Sequence, residues 1–99
     1  MSIEPGSTGH FATRNAHGYM TQLCKHFAHK IPATVQGNEG LITFEIGQAR
    51  LIARDRDLQC TVAGADAAAV EHMQGIIDSH LARFAFREDF SRMDWQPAA

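Results

Sequence analysis

Histidine is concentrated in the two segments of the chain whose apolar residues follow a helical pattern. The chain has six histidines in 99 residues. His26 and His29 lie three residues apart in the first segment, and His80 lies in the second. Imidazole titrates near neutral pH, and its neutral form is a common metal ligand. These positions could therefore support metal binding or proton transfer.

The helical spacing separates the three candidate metal ligands, His26, His29 and His80. His80 falls within the apolar stripe of its segment, His26 flanks the stripe of the first, and His29 lies nearly opposite that stripe. A zinc site needs converging ligands and often includes cysteine. The pattern therefore favours a neutral, hydrogen-bonded His80 and two histidines that stabilise a helix C-terminus. A metal site or a histidine acid/base centre is the alternative.

Two helices must position these side chains. Asn15 is a candidate N-cap for a helix that reaches about Ala28, and Asp66 is a candidate N-cap for a second helix that reaches about Phe84. Spacings of three and four residues predict the buried faces of these helices. The predicted inward residues are Met20, Leu23, Cys24 and Phe27, followed by Val70, Met73, Ile76, Ile77, His80, Leu81 and Phe84.

Short alternating segments predict the strands of an antiparallel sheet that is covered on one face. We expect a hairpin loop at residues 47–48. The predicted strands are residues 10–13 (an edge strand), 33–36, 41–46, 49–54, 58–63 and 91–96. The predicted fold is an α+β two-layer sandwich of order β-α-β-β-β-β-α-β, with both helices on one face. Residues 1–9 are expected to form a flexible leader before a single domain at 10–96.

Arg50, Ile52 and Arg54 alternate with inward residues along one predicted strand and therefore point away from the helices. No aromatic side chain is predicted on this face, which argues against RNA stacking on the sheet. We interpret the three residues as a candidate interaction surface for a homodimer or another partner.

Composition argues against several classes of function. The net charge of −2 gives no electrostatic reason to expect nucleic acid. No apolar run approaches the ~20 residues that cross a membrane, and no signal peptide is apparent, so a cytoplasmic location is expected. Cys24 and Cys60 occupy apolar positions and are predicted to be buried thiols.

The two histidine-bearing segments also carry a resemblance to a known family. They read QLCKHFAHKIP at residues 22–32 and HLARFAFRE at residues 80–88. Together with Ile42-Thr43-Phe44, the Ala65-Asp66 helix start and Trp95, they resemble DUF2218, a small bacterial domain of unknown function, over about residues 10–96. Similar domains are joined to flavin-dependent siderophore-interacting proteins in some bacteria. The resemblance thus implies a role near iron acquisition, but no particular reaction.

The sequence therefore favours a non-enzymatic accessory or binding module over an enzyme. Its partner would be a protein or a small molecule, with a link to iron or siderophore metabolism, and the residues specify no cofactor. A histidine-based binder of a metal or a haem-type ligand is the first alternative. An enzyme with a histidine acid/base is the second alternative. It ranks last because no nucleophile or carboxylate pair accompanies the histidines.

Overall fold

Six antiparallel strands and two helices make up the part of the chain that the computed structural model describes, residues 6–97. The helices are α1 (Ala16–Phe27) and α2 (Ala67–Phe84), and a 3-10 turn follows at Phe86–Glu88. The strands are β1 (Gly6–Ala12), β2 (Ala33–Gln36), β3 (Glu39–Phe44), β4 (Gly47–Ala53), β5 (Asp57–Gly64) and β6 (Asp94–Pro97). The predicted α+β class and element order are confirmed.

The strands lie in the order β2-β3-β4-β5-β1-β6, and both helices pack on the same face of the sheet. α1 covers β2, β3 and β4, while α2 covers β5, β4 and β1. Alternation explains this arrangement, since every second residue of β4 and β5 is buried beneath the helices. Within residues 6–97, no helix packs on the opposite face of the sheet.

The hydrophobic core lies between the helices and the sheet, as the apolar stripes predict. Asp66 is the N-cap of α2, as predicted, and its side chain accepts a hydrogen bond of 2.8 Å from the Ala69 backbone N–H. No helix within residues 6–97 is long and apolar enough to cross a membrane. The largest fully buried side chains are those of Met20, Leu23, Cys24, Ile42, Leu51, Leu58, Cys60, Val62, Met73, Ile77, Leu81 and Met93.

The first strand differs from its prediction in extent and position. It begins at Gly6, so residues 6–9 of the expected leader belong to β1, and residues 1–5 lie outside the described residues. β1 is also not an edge strand, because β5 and β6 pair with its two sides. Its buried positions include Ser7 and Gly9, so an apolar alternation does not mark the strand in the sequence.

The hairpin between β3 and β4 turns two residues earlier than predicted. Glu45 and Ile46 form the turn, and Gly47 pairs with Phe44. Ile46 is therefore 39% exposed instead of facing the core. The alternating apolar residues continue past the end of the strand into the turn, which explains the error in the predicted register.

Candidate functional site

His80 lies beside the core on α2 and is half-buried. Its Nδ1 is 2.7 Å from the Ile76 carbonyl oxygen, one helical turn earlier. A carbonyl oxygen only accepts hydrogen bonds, so Nδ1 carries the proton and donates it. In the neutral ring, Nε2 then holds the free lone pair and can accept a hydrogen bond or bind a metal.

His26 brings a second imidazole to His80 where α1 and α2 meet. The two ring centroids are 5.0 Å apart, and the rings are tilted by 49°. Phe27 supports His80 with a centroid distance of 4.8 Å, while Phe84 presents its ring to His26 at 5.9 Å. We call His26 and His80 the histidine pair. The pair lies on a short aromatic wall that also includes Phe44, 5.5 Å from Phe27.

The surroundings of His26 disfavour its charged form. Partial desolvation against its neighbours lowers the pKa of His26 below the ordinary value, and nearby positive charges lower it further. Lys30 and Arg83 carry such charges, and the imidazoles of His80 and His29 add to them only when they are protonated. Lys30 and Arg83 consequently make the surroundings of His26 cationic, and the lowered pKa favours the neutral form of its imidazole.

Replacing Arg83 with glutamine is expected to raise the pKa of His26, because one of the positive charges that disfavour imidazolium disappears. An NMR titration of the His26 ring protons measures this directly. Arg56→Gln, in the turn between β4 and β5, is the matched control and should leave His26 unchanged. An identical His26 pKa in wild type and Arg83→Gln would contradict this account of the site.

His29 does not join the histidine pair. α1 ends at Phe27, so His29 lies beyond the helix on an exposed turn, where the helical spacing from His26 no longer applies. Among residues 6–97, no three His, Cys, Asp or Glu side chains are grouped closely enough to hold a metal ion. The structure therefore does not assemble the predicted set of His26, His29 and His80 as protein ligands of one metal.

The two cysteines lie inside the core, as predicted. Cys24 and Cys60 are both free and buried. Burial raises the pKa of Cys24 to about 11 and also raises the pKa of Cys60. Both are therefore thiols near neutral pH, which makes them poor nucleophiles and poor metal ligands.

The second predicted surface lies on the opposite side of the sheet. Arg50 and Arg54 are exposed on the helix-free face, and Ile52 between them is half-buried. Arg54 donates a hydrogen bond of 2.7 Å to the side chain of Gln59 on β5 and lies 3.9 Å from Asp57. Asp57 is also 3.1 Å from Nδ1 of His10. These contacts order the charged side chains across three strands.

Sequence reasoning missed two polar connections that hold the C-terminal segment in place. Asp78 of α2 accepts hydrogen bonds of 2.9 Å from the Met93 backbone N–H and from the Trp95 indole N–H. Glu88 accepts hydrogen bonds from the Tyr19 hydroxyl and, at 3.1 Å, from the Thr13 hydroxyl. The pKa of Tyr19 is raised, and the hydrogen bond to Glu88 makes the largest contribution to this increase. A carboxylate directly after the buried Ile77 is the only sequence signal we find for the first connection.

Comparisons with known proteins agree with this architecture. The chain is similar to PA4090 from Pseudomonas aeruginosa, whose structure was determined by NMR. The TM-score is 0.79 and the sequence identity 29%, covering 97% of this chain and 98% of that one. No curated protein matches the chain. The model of a family described as an uncharacterized protein conserved in bacteria, DUF2218, matches residues 8–96. The expected resemblance is thereby confirmed, and the chain belongs to the DUF2218 family.

Proposed function

We propose that this protein is a non-enzymatic binding module whose ligand is a small anionic molecule with a planar face, bound over the histidine pair. The observation that carries the proposal is the pairing of two imidazoles, 5.0 Å apart, at the junction of α1 and α2. His26 is exposed and Phe84 lies beside it, so a planar ligand has aromatic surface to stack on.

The cationic side chains around His26 favour an anionic ligand. The charged groups that shift the pKa of His26 are all cationic, with Lys30 and Arg83 among them. A bare metal cation would be repelled by this surface, whereas a carboxylate or phenolate would be attracted. Attraction in solvent is weak at each charge, so stacking on the rings must contribute a comparable share of the affinity.

A metal complex with net negative charge is the second candidate ligand. The Nε2 lone pair of His80 is available in the tautomer that the Ile76 carbonyl selects, and His26 favours its neutral form. The two imidazoles could therefore complete the coordination of an iron complex that supplies its own oxygen ligands. A role in iron or siderophore metabolism, which the family resemblance suggests, would follow from such binding. We place the protein in the cytoplasm, where buried thiols such as Cys24 and Cys60 remain reduced.

The test is an NMR titration with 2,3-dihydroxybenzoate, first free and then as its ferric complex. We expect changes confined to the amides and rings around His26, His80 and Phe84, and a dissociation constant in the range of roughly 10 µM to 1 mM. His26→Gln and His80→Gln should each weaken binding about tenfold, or about 1.4 kcal/mol. His72→Gln, exposed near the start of α2, is the matched control.

The pH dependence separates the two ligand classes. Acidification protonates His26, which adds positive charge and should tighten binding of the free anion. The same protonation removes a lone pair and should weaken a ferric complex that depends on imidazole coordination. Absence of changes around the histidine pair with both probes would contradict the proposed function.

A further inference from the structure

The helix-free face of the sheet presents ordered rows of side chains that run across the strands. The pairing register places Glu39, Ile52, Gln59 and His10 in one row across β3, β4, β5 and β1. A neighbouring row holds Leu41, Arg50, Thr61 and Thr8. The Thr8 and Thr61 hydroxyls are 3.1 Å apart, which fixes this row between β1 and β5.

The middle of this face combines apolar and polar side chains. Leu41 and Ile52 are half-buried: Leu41 pairs with Arg50 across β3 and β4, and Ile52 lies two residues beyond Arg50 on β4 itself. Charged side chains stand around them. Glu39 and Arg54 lie on the β3–β4 side of the sheet centre, and Asp57 and His10 lie on the β5–β1 side. The two halves of the face therefore differ in the placement of their charges.

We propose that a second copy of this chain covers this face. A two-fold axis that runs parallel to the strands, between β4 and β5, places β4 over β5 of the second copy and β3 over its β1. Each row then faces the same row of the other copy. Arg54 lies opposite Asp57 of the second copy, and Glu39 lies opposite its His10. Both contacts occur twice, and the contact between Arg54 and Asp57 joins opposite charges, so the two copies are complementary at these positions.

The alternative face-to-face arrangement is less favourable. A two-fold axis across the strands would exchange the two central rows and place Arg50 against Ile52 of the second copy. A guanidinium pressed onto an aliphatic side chain loses hydration without gaining a partner. The charges therefore favour the axis along the strands, with the aligned packing at roughly 30° that twisted sheets adopt.

The size of the face is that of a small interface. Six strands spaced by about 4.8 Å, with an average length of about 20 Å, give roughly 600 Å² per copy, or about 1,200 Å² in total. This total is at the lower end of specific interfaces. We therefore expect a weak dimer, with a dissociation constant of roughly 10–100 µM.

Analytical ultracentrifugation from roughly 10 µM to 1 mM tests the proposal. The wild type should shift from monomer to dimer across this range. Arg54→Asp and Asp57→Arg should each raise the dissociation constant at least about tenfold, because like charges then face each other. An equimolar mixture of these two variants should restore dimers, since both intermolecular pairs become complementary again. Ile52→Glu should also leave a monomer, with circular dichroism confirming that each variant is folded.

A different pattern would overturn the proposal. A wild type that remains monomeric at the highest concentration excludes the second copy as occupant. Failure of the mixed variants to associate excludes the axis along the strands. Val35→Lys, on the exposed edge strand β2, distinguishes edge-to-edge pairing from face packing. Loss of dimers in Val35→Lys, with dimers retained in Ile52→Glu, would mean that the chains associate through β2 instead.

Discussion

Gly47→Ala is expected to destabilise the protein by about 3 kcal/mol or more, or to prevent folding, because the added methyl group has no space. A Cβ at Gly47 would overlap the Ala63 carbonyl oxygen and lie 3.0 Å from the Gly64 Cα. Both contacts involve the backbone of β5, which cannot rotate aside as a side chain can. The strands would have to separate where β4 begins. Urea unfolding followed by circular dichroism measures the loss.

The matched control is Gly75→Ala in α2. A Cβ at Gly75 meets no atom within 4 Å, and the position is exposed. Alanine is the better helix former there and should stabilise the protein by up to about 1 kcal/mol. If Gly47→Ala lowers the free energy of unfolding and Gly75→Ala raises it, close strand packing at Gly47 determines the loss, and not the replacement of a glycine as such. A Gly47→Ala protein as stable as the wild type would show that β4 and β5 are farther apart at this point.

Asp78→Ala is expected to lower the free energy of unfolding by about 2–4 kcal/mol, since it removes the acceptor of two hydrogen bonds at once. The Met93 N–H and the Trp95 indole N–H would lose their partner in a partly buried position. We expect β6 to detach from β1 before the remainder of the sheet unfolds. Trp95 is the only tryptophan in the chain, so its fluorescence reports this step.

A double-mutant cycle isolates the contribution of the indole. Trp95→Phe removes the N–H donor and keeps an aromatic ring over Gly9, so Asp78→Ala should cost less in that background. Asp94→Ala, which removes an exposed carboxylate of β6, is the control and should change stability by less than about 0.5 kcal/mol. Additive effects of Asp78→Ala and Trp95→Phe would contradict the contact between them.

The same carboxyl group gives stability a defined pH dependence. Burial raises the pKa of Asp78 above its ordinary value, although its hydrogen bonds act in the opposite direction. The folded state therefore holds this proton more tightly than the unfolded state does. The contribution of this group to stability is greatest below the ordinary pKa of aspartate, and it is lost as the pH rises through the raised value. Asp78→Asn should remove that part of the pH dependence.

The sequence predicted the elements wherever one face of a segment had to be apolar. Met73, Ile77 and Leu81 mark the buried face of α2 because side chains three or four residues apart share a helical face. In β5, Leu58, Cys60 and Val62 alternate with partly exposed residues for the corresponding reason. The apolar pattern did not predict the start of β1, because Ser7 and Gly9 occupy two of its inward positions. Gly9 is small because Trp95, 86 positions later, packs against it: a Cβ there would lie 2.7 Å from the indole ring.

The sequence alone determined the directions of His26 and His80 relative to their own helices, since a fixed helical period sets those directions. It could not determine the distance between the two rings, because that distance depends on how α1 and α2 sit on a shared sheet. The helical spacing had already placed His29 on the side of α1 away from the apolar stripe, and in the structure His29 lies beyond the end of α1 at Phe27. The apolar faces were thus readable from local spacing, and the family was indicated by the resemblance of the two histidine-bearing segments. The histidine pair, the Asp78 contacts and the self-complementary sheet face arise only from tertiary structure, because each joins residues that no local periodicity relates.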